Sequence, residues 1–345
     1  MLETSMDLQM LHRAASAYYR DDLRQAEIAD RLGISRPSVS KLLAEARRIG
    51  MVRFEVLDVP TADVTDLERR LRELLGIDSV RVAPGDQSQR DHRGVGDLLG
   101  EELRRLGLRR GDVLLVSSGK TTHAVSGMVG LPELEGVIVA PTVGGQQEPE
   151  RSFQTNETVR NFADRTRAEP RFIFAPALPS PSLWESLQAD PSFSAITDLW
   201  ARASALVTGI GAPYQQRETL TSVVPRDHPA LQRAAGDICL HFFDSEGTPM
   251  VYPGSDRLVR PPLDLLREIP DSIALATGRK KVPSIRAGAK TGLMTTLITD
   301  APTAEAILAD ADTDTDTDAD ADADDADADA DAAASGAPSQ QSPSI

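Results

Sequence analysis

Residues 25–43 read QAEIADRLGISRPSVSKLL, a stretch that predicts two short helices joined by a tight turn. Gly33 permits the turn and Ser35 is a favourable N-cap for the second helix. Pro37 lies in the first turn of that helix, where a missing N–H leaves no hydrogen bond unmade. An amphipathic helix is also predicted over residues 6–19, because its apolar residues recur at helical spacing. The stretch and this helix together predict a small three-helix unit.

The second helix of the quoted stretch is predicted to run to about Ile49, with short polar and basic side chains near its N-terminus. A recognition helix needs such a face, because its first turns enter the major groove and contact base edges. Residues 31–53 contain six basic residues and one acid, Glu45, and phosphate contacts need such an excess of positive charge. The pattern predicts a helix-turn-helix that binds a double-stranded DNA operator; the alternative is a three-helix unit with an ordinary solvated charged face. The candidate DNA-binding residues are Gln25, Ser35, Arg36, Pro37, Ser38, Ser40, Lys41, Arg47 and Arg53.

A strand is predicted over residues 51–56 and would add a wing, which closes the DNA-binding domain at residue 57. Within this strand Arg53 is either a wing contact to DNA or an ordinary exposed strand residue. Residues 58–77 are predicted as a linker. Its amphipathic helix, over residues 61–75, either pairs with a second copy of the chain or packs on the following domain.

Residues 78–308 alternate short apolar strands with helices, which predicts an α/β domain with a mostly parallel, Rossmann-like sheet and helices on both faces. Ligands of such folds bind at the carboxyl ends of the strands. The predicted strands are 80–83, 113–117, 137–141, 171–175, 205–209, 272–276 and 294–299, and the predicted helices are 95–106, 121–129, 157–166 and 282–289.

The end of the chain differs in composition. Residues 309–345 are an Asp-Ala and Asp-Thr alternation followed by a Ser/Pro/Gln/Gly segment, and with almost nothing apolar to bury they are predicted to be disordered. Twelve aspartates and no Lys or Arg lie within residues 310–331, so the formal net charge of −16 reduces to −4 for the remainder. The acidic balance of the whole chain therefore does not exclude a basic DNA-binding surface.

The single cysteine, Cys239, lies in an apolar run, which predicts a buried thiol and excludes an intramolecular disulfide. The sequence has neither a signal-peptide pattern nor an apolar run of about 20 residues. These features predict a cytoplasmic protein without a membrane partner. We expect no metal site, since His241 and Asp244 lack further ligands nearby.

Residues 117–122, SSGKTT, lie between a predicted strand and a predicted helix. Glycine lets the backbone approach an anion, hydroxyl and N–H groups donate hydrogen bonds, and a helix N-terminus adds positive potential. The loop is therefore a candidate phosphate site; the alternative is an ordinary strand-to-helix connection. Lys281 opens the predicted helix after Gly278 and could place a cation beside an anion, or be a solvated surface lysine.

With these residues in view, the chain resembles the SorC family of bacterial sugar-responsive regulators over residues 8–308, and the separated motifs occur in the expected order. The motifs are the Q-x-E-I-A-x-R-L-G-I-S-R-P-x-V-S run from Gln25, Ser117–Thr121, Val143–Gly145, Gly209–Gly211, Gly236–Ile238, Phe242–Gly247, Ala276-x-Gly278-x-x-Lys281, Leu297–Asp300 and Thr303–Glu305.

The resemblance implies an effector domain with a fold like that of sugar-phosphate isomerases, assembled as a dimer or tetramer. It implies a phosphorylated sugar or polyol as effector and no other cofactor. The matching family lysine, Lys281, would contact the phosphate, and the acidic residue at Asp237 would bond effector hydroxyls, whereas Asp244 is either an effector ligand or a turn former. The candidate effector-binding residues are Ser117, Ser118, Gly119, Lys120, Thr121, Thr122, Gly144, Gly145, Gln146, Gly211, Asp237, Asp244 and Lys281.

The chain departs from the family pattern at the first loop, where Ser118 replaces a tryptophan and Lys120 occupies the variable position. Lys120 would add a second phosphate charge or form a Schiff base with an aldehyde effector. An isomerase or deaminase activity is not expected, because no coherent acid/base set accompanies His123. A second alternative is a DNA-binding protein whose C-terminal domain assembles oligomers and binds no ligand.

Overall fold

The computed structural model describes residues 2–21, 23–52, 62–84, 92–217, 224–225 and 228–312. The chain divides into two compact units, Met1–Val59 and Pro60–Ile345.

The first unit consists of three helices, α1 (Leu2–Tyr19), α2 (Gln25–Leu32) and α3 (Arg36–Arg48). Its small core is made of alanine and aliphatic side chains, among them Ile28 and Val39. The alanines of this core let the helices approach closely. None of the helices in the described parts of the chain, in either unit, is long and apolar enough to cross a membrane.

The turn between α2 and α3 has the predicted features. Gly33 has a φ of 67°, a left-handed conformation that favours glycine, and ends α2. Ser35 caps α3, since its hydroxyl accepts a hydrogen bond of 3.3 Å from the N–H of Ser38. Met51 and Val52 lie in a bend rather than a strand, and the rest of the predicted strand, with Arg53, lies outside the described residues.

The second unit is built on a seven-stranded sheet with the order β1-β9-β8-β5-β2-β3-β4, in which all the described strand pairs are parallel. A separate antiparallel hairpin is formed by β6 and β7. The strands are β1 (Ser79–Ala83), β2 (Val113–Val116), β3 (Ile138–Pro141), β4 (Glu169–Pro170), β5 (Ala205–Gly209), β6 (Gly236–Ile238), β7 (His241–Phe243), β8 (Asp271–Leu275) and β9 (Thr296–Asp300).

Helices cover both faces of this sheet, because alternate strand residues belong to two separate apolar clusters. Leu114 and Val116 pack with α5, α6 and α7, whereas Val113 and Leu115 lie in the cluster that includes α4, α9, α10, α11 and α12. The helices are α4 (Ala62–Leu75), α5 (Arg93–Leu106), α6 (Lys120–Ser126), α7 (Thr155–Thr166), α8 (Pro181–Gln188), α9 (Pro191–Ala201), α10 (Leu263–Glu268), α11 (Val282–Ala289) and α12 (301–312). The mixed α/β fold with a parallel sheet agrees with the prediction.

The strand predicted over residues 171–175 is wrong: β4 ends at Pro170. The side chain of Asn156 takes the place of a neighbouring strand, since it donates to the carbonyl of Ile173 at 2.8 Å and accepts from its N–H at 3.1 Å. Helices α8, α9, α10 and α12 were not predicted. Helix α12 also continues past the predicted start of the disordered segment at residue 309, and Asp310 forms an ion pair with Arg286 at 2.6 Å.

Candidate functional site

The predicted effector residues gather around the carboxyl ends of the three adjacent strands β8, β5 and β2. The chain leaves β2 towards one edge of the sheet and β5 towards the other, so a topological switch point lies between these two strands. A crevice opens at such a point, and ligands of open α/β sheets bind there. The loop after β2 begins at Ser117, and β5 leads into Ile210 and Gly211.

Ser117 holds the two sides of the switch point together. Its hydroxyl accepts a hydrogen bond of 3.2 Å from the N–H of Gly209 and donates one of 3.1 Å to the carbonyl of Ser118. Ser117 is buried, so it positions the loop. Gly119, with a φ of 144°, donates its N–H to the carbonyl of Ser152 at 2.8 Å. Lys120, Thr121 and Thr122 then form the first turn of α6.

Buried polar atoms without a partner surround this loop. The hydroxyl oxygens of Thr122, Ser152 and Thr155 and the Oε1 atom of Gln146 are buried and make no hydrogen bond within the described residues. The Nε2 atom of Gln146 donates to the hydroxyl of Ser118 at 3.2 Å, so its side chain joins the loop. A buried polar group left unsatisfied costs about 1–3 kcal/mol. The cluster is therefore suited to a polar ligand or to ordered water.

Asp237, on β6, faces the end of β5. The N–H of Gly211 donates to its backbone carbonyl at 2.8 Å, and the N–H of Leu240 donates to its Oδ2 atom at 3.0 Å. Cys239 and Leu240 both have positive φ values, 50° and 63°, which let the hairpin turn tightly enough for this contact. The remaining carboxylate oxygen, Oδ1, accepts a hydrogen bond from Arg217.

Arg217 is a site residue that the sequence did not reveal. Its Nε atom donates to the carbonyl of Ala212 at 2.8 Å, and its guanidinium lies over the ring of Phe242, 5.1 Å from the centroid. The side chain is 15% exposed, and that of Asp237 is 11% exposed, so water screens their ion pair weakly. No motif or spacing around Arg217 distinguishes it from the other arginines of the chain.

Lys281 lies at the start of α11, and its ammonium group donates to the carbonyl oxygen of Ile210. The pKa of Lys281 is lowered to about 8, mainly by burial and in addition by the positive charges of Arg217 and Lys120, whereas Asp237 opposes the shift. Lys281 therefore interacts electrostatically with these three groups. Lys120 is more exposed, and its ammonium is 3.8 Å from Glu150.

Of the four candidate glycines, Gly144 and Gly211 are closely approached by other groups. A Cβ on Gly144 would lie 2.9 Å from the backbone around Ala175 and Ala177, so glycine is needed there for packing. Gly145 is exposed and exchanges backbone hydrogen bonds with the same segment, at 2.8 and 2.7 Å. A Cβ on Gly211 would overlap both the carboxylate of Asp237 and the guanidinium of Arg217.

Asp244 stabilises a turn. Its Oδ1 atom accepts hydrogen bonds of 2.9 Å from the N–H groups of Glu246 and Thr248. These contacts favour the turn-forming alternative over a role as effector ligand. Within the described ranges no group of three or more His, Cys, Asp or Glu residues is placed to hold a metal ion. Burial raises the pKa of the Cys239 thiol to about 11, which makes it a poor nucleophile.

The candidate DNA-binding residues line the start and outer side of α3. Arg36, Pro37, Ser40, Lys41 and Arg47 are exposed. The hydroxyls of Ser35 and Ser38 lie 2.8 Å apart and share a hydrogen bond, which leaves both near the N-terminus of the helix, and Gln25 is half-buried at the start of α2. Glu45, the one acid among residues 31–53, is paired with Arg48, so it does not neutralise Arg36, Lys41 or Arg47.

Comparison with known proteins agrees with this architecture. A parallel sheet whose switch point is lined by cations and buried hydroxyls defines a domain that binds small polar ligands. The family described as "Putative sugar-binding domain" matches residues 59–309, and the chain belongs to it, as a member of the SorC group of transcriptional regulators.

Two curated relatives match nearly the whole chain. The deoxyribonucleoside regulator of Bacillus subtilis is 30% identical over 310 residues, which cover 88% of this chain and 98% of the relative. The sorbitol operon regulator of Klebsiella pneumoniae is 27% identical over 326 residues, which cover 89% and 100%. The crystal structure of that full-length regulator superposes with a TM-score of 0.70 at 26% identity and covers 88% of this chain and 99% of its own. These relatives are transcriptional regulators and not enzymes, which confirms the expectation that the chain is not an isomerase or deaminase.

Proposed function

We propose that this chain is an effector-responsive, DNA-binding regulator of carbohydrate metabolism, and that its effector is a phosphorylated sugar or polyol. The observation that carries the proposal is the charge balance at the switch point. The charges of Arg217, Lys120 and Asp237 all act on Lys281, and Lys120 lies 3.8 Å from Glu150, so these three cations face two carboxylates. An excess of partly buried positive charge is relieved by an anionic ligand.

The groups around the loop supply what the rest of such a ligand needs. Thr122 and Gln146 have buried polar atoms without partners among the described residues: the hydroxyl of Thr122 can donate to a phosphate oxygen, and the Oε1 atom of Gln146 can accept from a sugar hydroxyl. Asp237 is the natural acceptor for sugar hydroxyls. The family membership and the names of the two relatives, one for deoxyribonucleosides and one for sorbitol, favour a sugar or polyol over other anions.

The first unit would bind the operator. Helices α2 and α3 would form a helix-turn-helix in which Arg36 and Lys41 reach the major groove, because both are exposed in the first turns of α3. A dimer or tetramer would place two such helices on symmetric half-sites. Effector binding would change operator affinity only by the difference in its affinity for the two arrangements of the oligomer.

The experiment that tests the effector is a thermal-shift screen of the full chain against matched pairs of phosphorylated and free sugars and polyols. A ligand at about 100 times its Kd stabilises a protein by about 2.7 kcal/mol. We expect one phosphorylated compound to raise the melting temperature while its free form has no effect. A flat result across the panel contradicts a phosphorylated effector and favours a domain that only assembles oligomers.

A second experiment tests the operator. Sequences selected by the chain from a library of genomic fragments are expected to contain a pseudo-palindrome, and the compound found in the screen is expected to change their affinity. Selection of no sequence contradicts DNA recognition by the first unit. If the compound does not change the affinity of the chain for the operator, the coupling between effector binding and DNA binding is contradicted, but DNA binding is not.

A further inference from the structure

The ion pair between Arg217 and Asp237 lies within the candidate effector site, next to the end of β5. Both carboxylate oxygens of Asp237 are engaged, Oδ1 by Arg217 and Oδ2 by the N–H of Leu240. A sugar hydroxyl that seeks Oδ1 must therefore compete with the guanidinium. The pair lies directly over Gly211, at the carboxyl end of β5, where the absence of a side chain leaves room for it.

Arg217 has hydrogen-bonding capacity left over. Its Nε donates to Ala212 and its Nη2 to Asp237, but its Nη1 makes no hydrogen bond to any residue that the structure describes. The ring of Phe242 lies beneath the guanidinium at 5.1 Å and limits its tilt. A planar guanidinium with free N–H groups is matched to two oxygens of a phosphate.

We infer that Arg217 is a latch: it holds Asp237 while the site is empty, and it transfers to the phosphate of the effector when effector hydroxyls take its place on Asp237. This inference rests on the proposed phosphorylated effector and names the residue that selects it. A free sugar would displace Arg217 from Asp237 and leave the guanidinium without an anion. Inorganic phosphate would take Arg217 and leave Asp237 without its cation. A hydroxylated phosphate satisfies both groups at once.

The latch makes a specific prediction for inorganic phosphate as a probe, because phosphate alone must pull Arg217 away from Asp237. Asp237→Asn removes the carboxylate charge that holds the guanidinium and leaves only a weaker amide acceptor, so we expect phosphate binding to tighten by up to about tenfold, about the worth of one hydrogen bond to a charged group. Arg217→Gln is expected to weaken phosphate binding. In the double variant Asp237→Asn/Arg217→Gln most of the gain is expected to be lost.

The experiment measures the phosphate dissociation constant by calorimetry for the unaltered chain, the two single variants and the double variant, with chloride held constant. Arg202→Gln is the matched control, because Arg202 is exposed after α9 and its replacement removes the same charge outside the site. Arg217→Lys keeps the charge without the planar fork and is expected to fall between the unaltered chain and Arg217→Gln. Melting curves without phosphate identify any variant that fails to fold, and Arg217→Lys then replaces Arg217→Gln in the cycle.

Each result has one meaning. If the gain from Asp237→Asn is equal with and without Arg217, the gain is the loss of a negative charge and the latch is wrong. If Arg217→Gln and Arg202→Gln bind phosphate equally, Arg217 does not contact the anion. In either case the proposed function stands as long as the unaltered chain responds to a phosphorylated compound. If the unaltered chain responds neither to phosphate nor to any sugar phosphate, the proposed function and the latch fail together.

Discussion

The ammonium group of Lys281 is fastened to the carbonyl oxygen of Ile210, so the start of α11 and the end of β5 are joined inside the site. The contact places a partly buried cation beside a backbone carbonyl oxygen. Burial is the main reason that its pKa falls to about 8, and Arg217 and Lys120 add to the effect while Asp237 opposes it. Lys281 therefore loses its proton at a pH that common buffers cover. As the pH rises, this loss is expected to lower the affinity for a phosphorylated compound and to raise the stability of the free protein.

The affinity for a phosphorylated compound is expected to fall as the pH rises from about 7 to about 9.5, because Lys281 loses its proton as the pH passes about 8. Where binding requires the proton, the limiting slope is tenfold per pH unit, which corresponds to about 1.4 kcal/mol. Phosphate itself is already a dianion over this range. Calorimetry across the range measures the slope, and Lys281→Met is expected to bind weakly with no slope at all. A slope unchanged in Lys281→Met would assign the titration to another group.

The stability of the free protein is expected to change in the opposite direction. The folded pKa of Lys281, about 8, lies below the unfolded value of 10.5, so the unfolded chain binds more protons between these values. The free energy of unfolding therefore gains from this residue as the pH rises through that window. Urea titrations of the unaltered chain and of Lys281→Met measure the difference. Lys290→Met is the control, since Lys290 is ion-paired with Glu246 at the surface.

Gly211→Ala is expected to impair the effector response. The new methyl group would overlap both Asp237 and Arg217, so one of them must move. Overpacking of this kind costs about 1–3 kcal/mol. Gly127→Ala is the control, because a Cβ there meets nothing within 4 Å and the φ of Gly127 is −102°. Melting curves with and without the compound from the screen separate the loss of stability from the loss of response. A response of full size in Gly211→Ala would show that the ion pair does not shape the site.

Arg36→Ala is expected to weaken binding to the selected operator by about 1–3 kcal/mol, the range found for a good contact to a base, and to leave the effector response intact. Arg48→Ala removes the same charge from the same helix, but Arg48 is engaged with Glu45, so a smaller loss is expected. Fluorescence anisotropy at two salt concentrations measures both variants. Equal losses would mean that general charge, and not a contact made by Arg36, determines the affinity.

Glu102→Gln is expected to destabilise the second unit by about 1–3 kcal/mol. The side chain of Glu102 is only 3% exposed and accepts hydrogen bonds from Arg81 at 2.7 Å and Arg105 at 2.6 Å, so it ties β1 to α5. Glu101→Gln, on a carboxylate that is 54% exposed, is expected to change the stability by less than about 0.5 kcal/mol. Chemical denaturation measures both. A similar effect of the two changes would mean that the buried contact adds nothing beyond a surface ion pair.

The sequence predicts the regular parts of this fold well, because they follow from local pattern. Strand β5 and helix α11 lie at the predicted residues, since the short apolar run Ala205–Val207 before Gly209 favours a buried strand and Pro283 marks the first turn of a helix. The turn at Gly33 and the cap at Ser35 likewise depend on near neighbours alone. The conformation of residues 171–175 does not depend on near neighbours alone, because the side chain of Asn156 on a preceding helix hydrogen-bonds the backbone of this segment.

The candidate site shows the same division. The loop at Ser117, Asp237 and Lys281 can be predicted from motifs, and the structure brings all three to the ends of β2, β5 and β8. Arg217 cannot be predicted in this way, because its importance arises from the hairpin that carries Asp237 to it and from the ring of Phe242. Nothing within a few residues of Arg217 encodes either partner.

The pairing of β1 with β9 joins residues from opposite ends of the second unit, Ser79 with Thr296. During synthesis the N-terminal helices leave the ribosome first, and domains generally fold as units in that order. Strand β1 must then wait for its neighbour until almost all of the second unit has been translated. Sheets built from such distant segments fold slowly. In the proposed regulator, a newly made chain would therefore hold a folded DNA-binding unit for some time before its effector-binding unit is complete.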